Sequence, residues 1–231
     1  GYHVNSNTAT FANWNWKANG AGSANTDGAL NSTVSVNTTA GFSIVKYTGD
    51  GTNNTTVGHG LSQAPELWIM KNRSTASTNW ETFTTKIDGS VDFLRLDSDA
   101  AKGDSGRTAP TASVFYVGNS NNQGASGDDY IAYCFHSVEG YSKVGTATGT
   151  AGSLFVYMGF KPAFVMWKSS NAGQNWNIYD NKRPEFNQSY HLLEPNTTDV
   201  ESGDWTTNRV DIVSNGFNIL NTGLLQLNGG S

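Results

Sequence analysis

The chain carries a single cysteine, Cys134, among 231 residues. No disulfide can form within it, so its stability must come from packing. Cys134 sits in the apolar stretch Tyr130–Phe135 and reads as a packed core thiol. Charge is scarce as well: charged residues make up 14%, the net charge is -5, and no run of like sign occurs. A phosphate backbone or an anionic lipid surface finds no basic footprint here, so neither nucleic-acid binding nor membrane attachment is expected. No run of about 18 apolar residues is present, so no helix is long and apolar enough to cross a bilayer, and membrane insertion is not expected. Proline is rare at 5 residues while glycine reaches 26, and aromatics make up 12%. That mixture excludes a disordered tract and fits many short strands joined by tight turns.

Catalytic and metal-binding patterns are missing too. His3, His59, His136 and His191 have no metal-ligand spacing. His59, between two glycines, reads as a turn histidine. Asp128-Asp129 and Asp97-Ser98-Asp99 lack the spacing of a calcium loop and read as solvated carboxylates. Glu66, Glu81 and Asp88 are the kind of carboxylates any β protein carries, and no nucleophile elbow or phosphate loop follows a strand. No catalytic residue, metal site or cofactor is assigned, and enzymatic activity is not expected.

What the chain does have is an echo. Pro65 leads into Leu67, Trp68, Ile69, Met70 and Lys71, and Pro162 leads into Phe164, Val165, Met166, Trp167 and Lys168. Each run is too short for a helix core and rich in β-formers, which suits a strand buried on both faces. A Ser/Asn/Gly turn follows each, and then Asn79-Trp80 or Asn175-Trp176 opens a second strand, so a hairpin is written twice. The correspondence extends outward: Phe42 matches Tyr141, Val57 matches Val156, Gly60 matches Gly159, and Phe93–Asp97 matches Tyr190–Glu194. Ordered matches over such a span imply duplicated structural units.

The expected fold is all-β, with two tandem related β-sandwich-like units of about 100 residues each, 41–140 and 141–231, and an extra N-terminal strand. Residues 1–40 hold that strand, around Phe11, Trp14 and Trp16, and then a Gly/Asn/Ser-rich connection with one short strand at Thr33–Val36. The first unit closes on Tyr130–Phe135, whereas the second runs out at Asn221–Ser231 with its aromatic closing strand apparently missing. Trp14 and Trp16 are spaced like Tyr133 and Phe135. Two expectations compete. The chain, which opens on Gly1, is a window of a longer repeat array, or Phe11, Trp14 and Trp16 supply the missing strand, within the chain or in a neighbouring copy.

Trp80 and Trp176 follow Asn at one repeat position and read as duplicated core packing. With Trp68, Trp167, Tyr133 and Phe135 they form the expected structural core. Trp205 lies in a polar loop without a counterpart in the first unit, so it is the candidate for a surface or ligand contact.

Several phrases resemble a known family. AGFSIVKYTGD at 40–50, VGHGL at 57–61, YIAYCF at 130–135 running into VEGYSK at 138–143, FVYMGFKPAFVM at 155–166 and SNGF at 214–217 are its signature. The chain resembles the tandem-repeat, tail fibre-like virion structural proteins of marine phages that infect cyanobacteria and other ocean bacteria. The resemblance implies a non-enzymatic structural protein on the virion exterior, tail or capsid surface. Its implied partners are other copies of itself, other virion proteins and a host surface glycan. Such repeats often continue with a closing strand like Tyr-Ile-x-Met-Ala-Phe, which this chain lacks. The alternative reading is a carbohydrate-binding module or cell-surface adhesin.

Overall fold

The computed structural model describes residues 11–150, 152–203 and 209–220. Among them every regular element is a strand, so the all-β expectation holds. Residues 17–40 hold the expected strand at Thr33–Val36 and, beyond the expectation, a second one before it. Ser32, Val34 and Val36 alternate on one side, and the segment folds as β1 (Ser23–Asn25) and β2 (Ser32–Asn37), with β2 antiparallel to β3 (Phe42–Thr48). After β4 (Thr55–Gly58) comes a meander of β5 (Leu67–Asn72), β6 (Glu81–Thr84), β7 (Asp92–Arg95) and β8 (Gly103–Asp104). β9 (Val114–Val117) pairs with β4, and β10 (Asp129–Phe135) inserts between β3 and β5. The product is an eight-stranded antiparallel sheet in the order β1-β2-β3-β10-β5-β6-β7-β8, with the β4-β9 ribbon packed on one face.

The alternation of side chains decides what is buried. Tyr130, Ala132 and Cys134 of β10 face the ribbon beside Val45, Tyr47, Trp68 and Met70. Tyr47 stacks on Tyr130 at 5.2 Å, and Trp68 stacks on Phe83 at 5.4 Å. Leu67 and Ile69 point the other way and are half-buried, because the ribbon covers only one face. The expectation of a run buried on both faces is corrected accordingly. Tyr133 and Phe135 share that outer face and are half-buried rather than core. Trp80 lies just before β6 and is also half-buried, stacking on Tyr133 at 6.4 Å.

The remaining strands are β11 (Leu154–Tyr157), β12 (Phe164–Trp167), β13 (Asn177–Asp180), β14 (Val210–Val213) and β15 (Gly216–Ile219). They form a three-stranded sheet, β11-β15-β14, and a separate hairpin, β12-β13. Their core joins Val165, Tyr179, Val210, Ile212 and Phe217, with Trp167 stacked on Tyr179 at 5.2 Å and on Phe217 at 5.8 Å.

Residues matched by sequence in the paired strands β4, β5 and β6 and their counterparts β11, β12 and β13 occupy the same ladder positions. Val57 faces Phe115, and Val156 faces Phe217. Trp68 faces Phe83, and Val165 faces Tyr179. The register slips beyond β13: Thr82 faces Leu94, whereas Ile178 bridges Leu193. The N–H of Trp80 donates to the Asp97 carboxylate at 3.2 Å, and that of Trp176 donates to Asn196 Oδ1 at 2.9 Å. The counterparts of Leu94 and Asp97 are therefore Leu193 and Asn196, two residues beyond His191 and Glu194. Trp176 is buried and ties the halves together by donating from Nε1 to the Arg95 carbonyl at 2.8 Å.

His59 is fully buried next to Gly60, whose φ of +69° turns the chain. Its Nδ1 accepts from the Leu61 N–H at 3.1 Å, which leaves Nε2 to donate to the Thr111 carbonyl at 3.1 Å. This pairing fits the neutral ring, and burial holds its pKa below the ordinary value against the opposing pull of the Thr111 carbonyl. The unfolded chain takes up a proton near pH 6.5, while the folded chain does so only at lower pH, so stability is full above that range and declines below it. A urea midpoint that falls between about pH 7 and 5, with the slope reduced in His59→Gln, is expected; a pH-independent difference between the two proteins would contradict it. In the same assay Trp68→Ala should cost about 3–5 kcal/mol and Trp80→Ala less, about 0.5–1.5 kcal/mol, the worth of an aromatic stack on the half-buried outer face. Equal losses would show that the core has been misplaced.

Candidate functional site

The segment 11–17 pairs with no strand, contrary to the expected N-terminal strand, and its contacts are made by side chains. Trp14 and Trp16 both meet Phe164 of β12 edge-on, with ring centroids 5.7 and 5.4 Å apart. Trp16 also reaches Phe135 at 6.3 Å. In unit-matched terms Phe164 corresponds to Leu67, and Leu67 pairs with Phe135. The tryptophans thus place aromatic surface against β12 where β10 stands against β5, but without a ladder. Phe11 takes no part and is exposed.

Polar contacts hold Trp14 in place. Its Nε1 donates to Asp180 Oδ2 at 3.1 Å, and the Arg183 guanidinium lies 5.5 Å from its ring centre. Arg183 Nε donates to the same carboxylate oxygen at 2.6 Å, while the N–H groups of Lys182 and Arg183 cap Oδ1 at 2.8 and 2.9 Å. Arg183 continues to Glu201, which also pairs with His191 Nδ1 at 2.6 Å. Burial by itself would raise both carboxyls. The hydrogen bonds and positive charge of Arg183, joined by His191 at Glu201, bring them below the ordinary carboxylate range.

A second feature lies on β11. In the first half the equivalent strand is covered: the Leu30 N–H donates to the Thr56 carbonyl at 2.9 Å, and a Cβ on Gly58 would meet Asn25 Oδ1 at 1.7 Å. By ladder position Phe155 replaces Thr56, and Tyr157 replaces Gly58. Both aromatics are exposed, at 46% and 59%, on a strand whose only ladder partner among the described residues is β15. Lys143 donates to the Tyr157 carbonyl at 3.0 Å and lies 5.1 Å from its ring centre. Tyr141, two residues earlier in the chain, is exposed as well.

Of the residues singled out from sequence, Trp68 and Trp176 are buried and Trp167 is half-buried in the second core. Trp205 lies outside the described residues. Among the described residues, no group of three or more His, Cys, Asp or Glu side chains could hold a metal ion. Asp180, Arg183, Phe155 and Tyr157 were not singled out by sequence reasoning. Their available signal was the contrast between copies, Phe and Tyr standing where Thr and Gly stand in the first.

The fold and these surfaces define an all-β, sandwich-like protein with an uncovered aromatic strand. The family described as "Domain of unknown function (DUF7483)" matches residues 1–230, and the chain belongs to it. No curated protein and no solved structure matches the chain.

Because the Asp180 and Glu201 pKa values are lowered, the clasp is intact above the ordinary carboxylate range and is lost as pH falls through the lowered values. Proteolytic cleavage within residues 11–17 should therefore accelerate only below about pH 4, under the ordinary carboxylate range, and Arg183→Ala should accelerate it already at neutral pH. Unchanged cleavage in that variant would mean that the tryptophans hold the segment without help.

Proposed function

We propose that this protein is a non-enzymatic structural component of a phage virion exterior, built from two related β units and assembled with copies of itself. The observation that carries the reading is the exposed pair Phe155 and Tyr157 on β11. At the same ladder positions the first half has Thr56 and Gly58, covered by the segment from Asn25 to Leu30. A strand edge with exposed aromatics is a template for another chain, and the charge set against it here, Lys143 on the Tyr157 carbonyl, leaves both rings exposed. A second copy seated on β11 would cover these rings, and repetition of that contact builds an assembly. The phrases that resemble marine-phage virion proteins support the same reading and suggest the location.

A carbohydrate-binding role is the second reading, favoured by the polar cleft beside Phe186. Imaging purified particles with an antibody to this chain tests the first. Label on the particle exterior is expected, and absence of the chain from the virion would sink the proposal. In solution, light scattering should show concentration-dependent association that Phe155→Asp with Tyr157→Asp abolishes without lowering the melting temperature; association untouched by the pair would place the interface elsewhere.

A further inference from the structure

The connection after β13 encloses a cleft that the assembly surface does not use. From Thr84 to Leu94 the chain advances ten residues, and from Asp180 to Leu193 it advances thirteen, so three extra residues lie in this loop. Both ends of the loop are pinned. Asp180 caps the Lys182 and Arg183 N–H groups, while Asn187 Nδ2 donates to Asp211 Oδ1 at 2.6 Å and Asn187 Oδ1 accepts from the Ile212 N–H at 3.2 Å. Between them is a cleft of about 300 Å³ whose lining includes Lys161, Asn181, Lys182, Phe186, Ser189 and Ile212. That volume is at the small end for ligand sites, and such pinned loops give largely preformed ones.

Three features of the lining point to one ligand chemistry. Asn181 Oδ1 and Ser189 Oγ are buried and have no hydrogen-bond partner, a condition that native proteins rarely leave uncompensated. Phe186 is 72% exposed and offers a flat apolar ring at the rim. Lys161 and Lys182 take part in no ion pair among the described residues. Of the two lining carboxylates, Asp180 is already engaged by Arg183, leaving Glu185. The site therefore asks for hydroxyl groups, an apolar C–H face and a negative charge in one small molecule. An inorganic anion lacks the apolar face, and an aromatic acid lacks the hydroxyls.

We propose that this cleft binds an acidic sugar residue of the uronate type. Ring hydroxyls satisfy Asn181 Oδ1 and Ser189 Oγ as those side chains turn into the cleft, the C–H face lies on Phe186, and the carboxylate meets Lys161 and Lys182. The inference rests on the carbohydrate-binding reading, whose ligand class it names, and is independent of the assembly reading, since β11 and this loop share no residue.

Isothermal titration of the whole chain with galacturonate and glucuronate oligosaccharides, neutral hexose oligosaccharides and inorganic phosphate tests it. Saturable binding of a uronate oligosaccharide is expected, weakened by added salt and reduced about tenfold or more by Phe186→Ala and, separately, by Asn181→Ala. Lys161→Gln with Lys182→Gln should remove the preference for uronate over neutral sugar. Melting of each variant, unchanged from the parent, shows that the loop rather than the fold was altered. The proposal is overturned by no saturable uronate binding, by binding that survives both Phe186→Ala and Asn181→Ala, or by phosphate binding as tightly as the sugar.

Discussion

The insertion of β10 between β3 and β5 is the constraint on which the first half depends. Seven residue pairs join β10 to β3 and six join it to β5, so one strand welds the β1-β2-β3 segment to the β5–β8 meander. Without it these would be two separate ribbons, each short of partners for its central edge. The same strand delivers Tyr130, Ala132 and Cys134 to the core, where burial pushes the Cys134 thiol up to about 12. A thiol held so firmly in its protonated form is a packing element and not a nucleophile. Because β10 lies far along the chain from β3, the closing contact is non-local and expensive in loop entropy, which favours slow folding.

In the second half no such strand stands in the ladder among the described residues. β12 keeps its hairpin partner β13, and its other edge is met by the rings of Trp14 and Trp16 rather than by backbone. Residues 143–150, which come after the counterpart of Phe42, form no strand. A strand in the position of β3 would have no closing strand to pair with among the described residues. The outcome is a smaller core around Tyr179 and Phe217 and more exposed aromatic surface. Those surfaces, and the lengthened loop after β13, are where the two halves differ.

Polar residues in the first half pair with one another inside the fold. Glu81, matched to no catalytic partner in the sequence, is buried and accepts from Asn122 Nδ2 at 3.0 Å and Gln123 Nε2 at 2.7 Å. Gln123 Oε1 in turn accepts from the Gly118 N–H at 2.9 Å. The Asn/Gly-rich stretch 118–127, which reads as a plain connection, is a plug that satisfies a buried carboxylate. Nothing in its composition distinguishes those two roles, because the difference lies in which distant side chain it meets.

The sequence by itself determined the all-β class, the hairpin written twice and most of the longer strands, because period-2 alternation, turn residues and duplication are local properties. It also located the aromatic segment at Trp14 and Trp16 and its likeness to Tyr133 and Phe135. Only the tertiary structure decided which face of each strand is covered. Whether Tyr133 and Trp80 are core or outer surface depends on where the β4-β9 ribbon lies, and a strand's own residues do not record that. The fate of the tryptophans was likewise tertiary: backbone pairing requires two edges brought into register, whereas ring contacts with Phe164 and a hydrogen bond to Asp180 require only proximity. The cleft beneath Phe186 arises from three extra residues whose significance appears only once both ends of the loop are pinned in space.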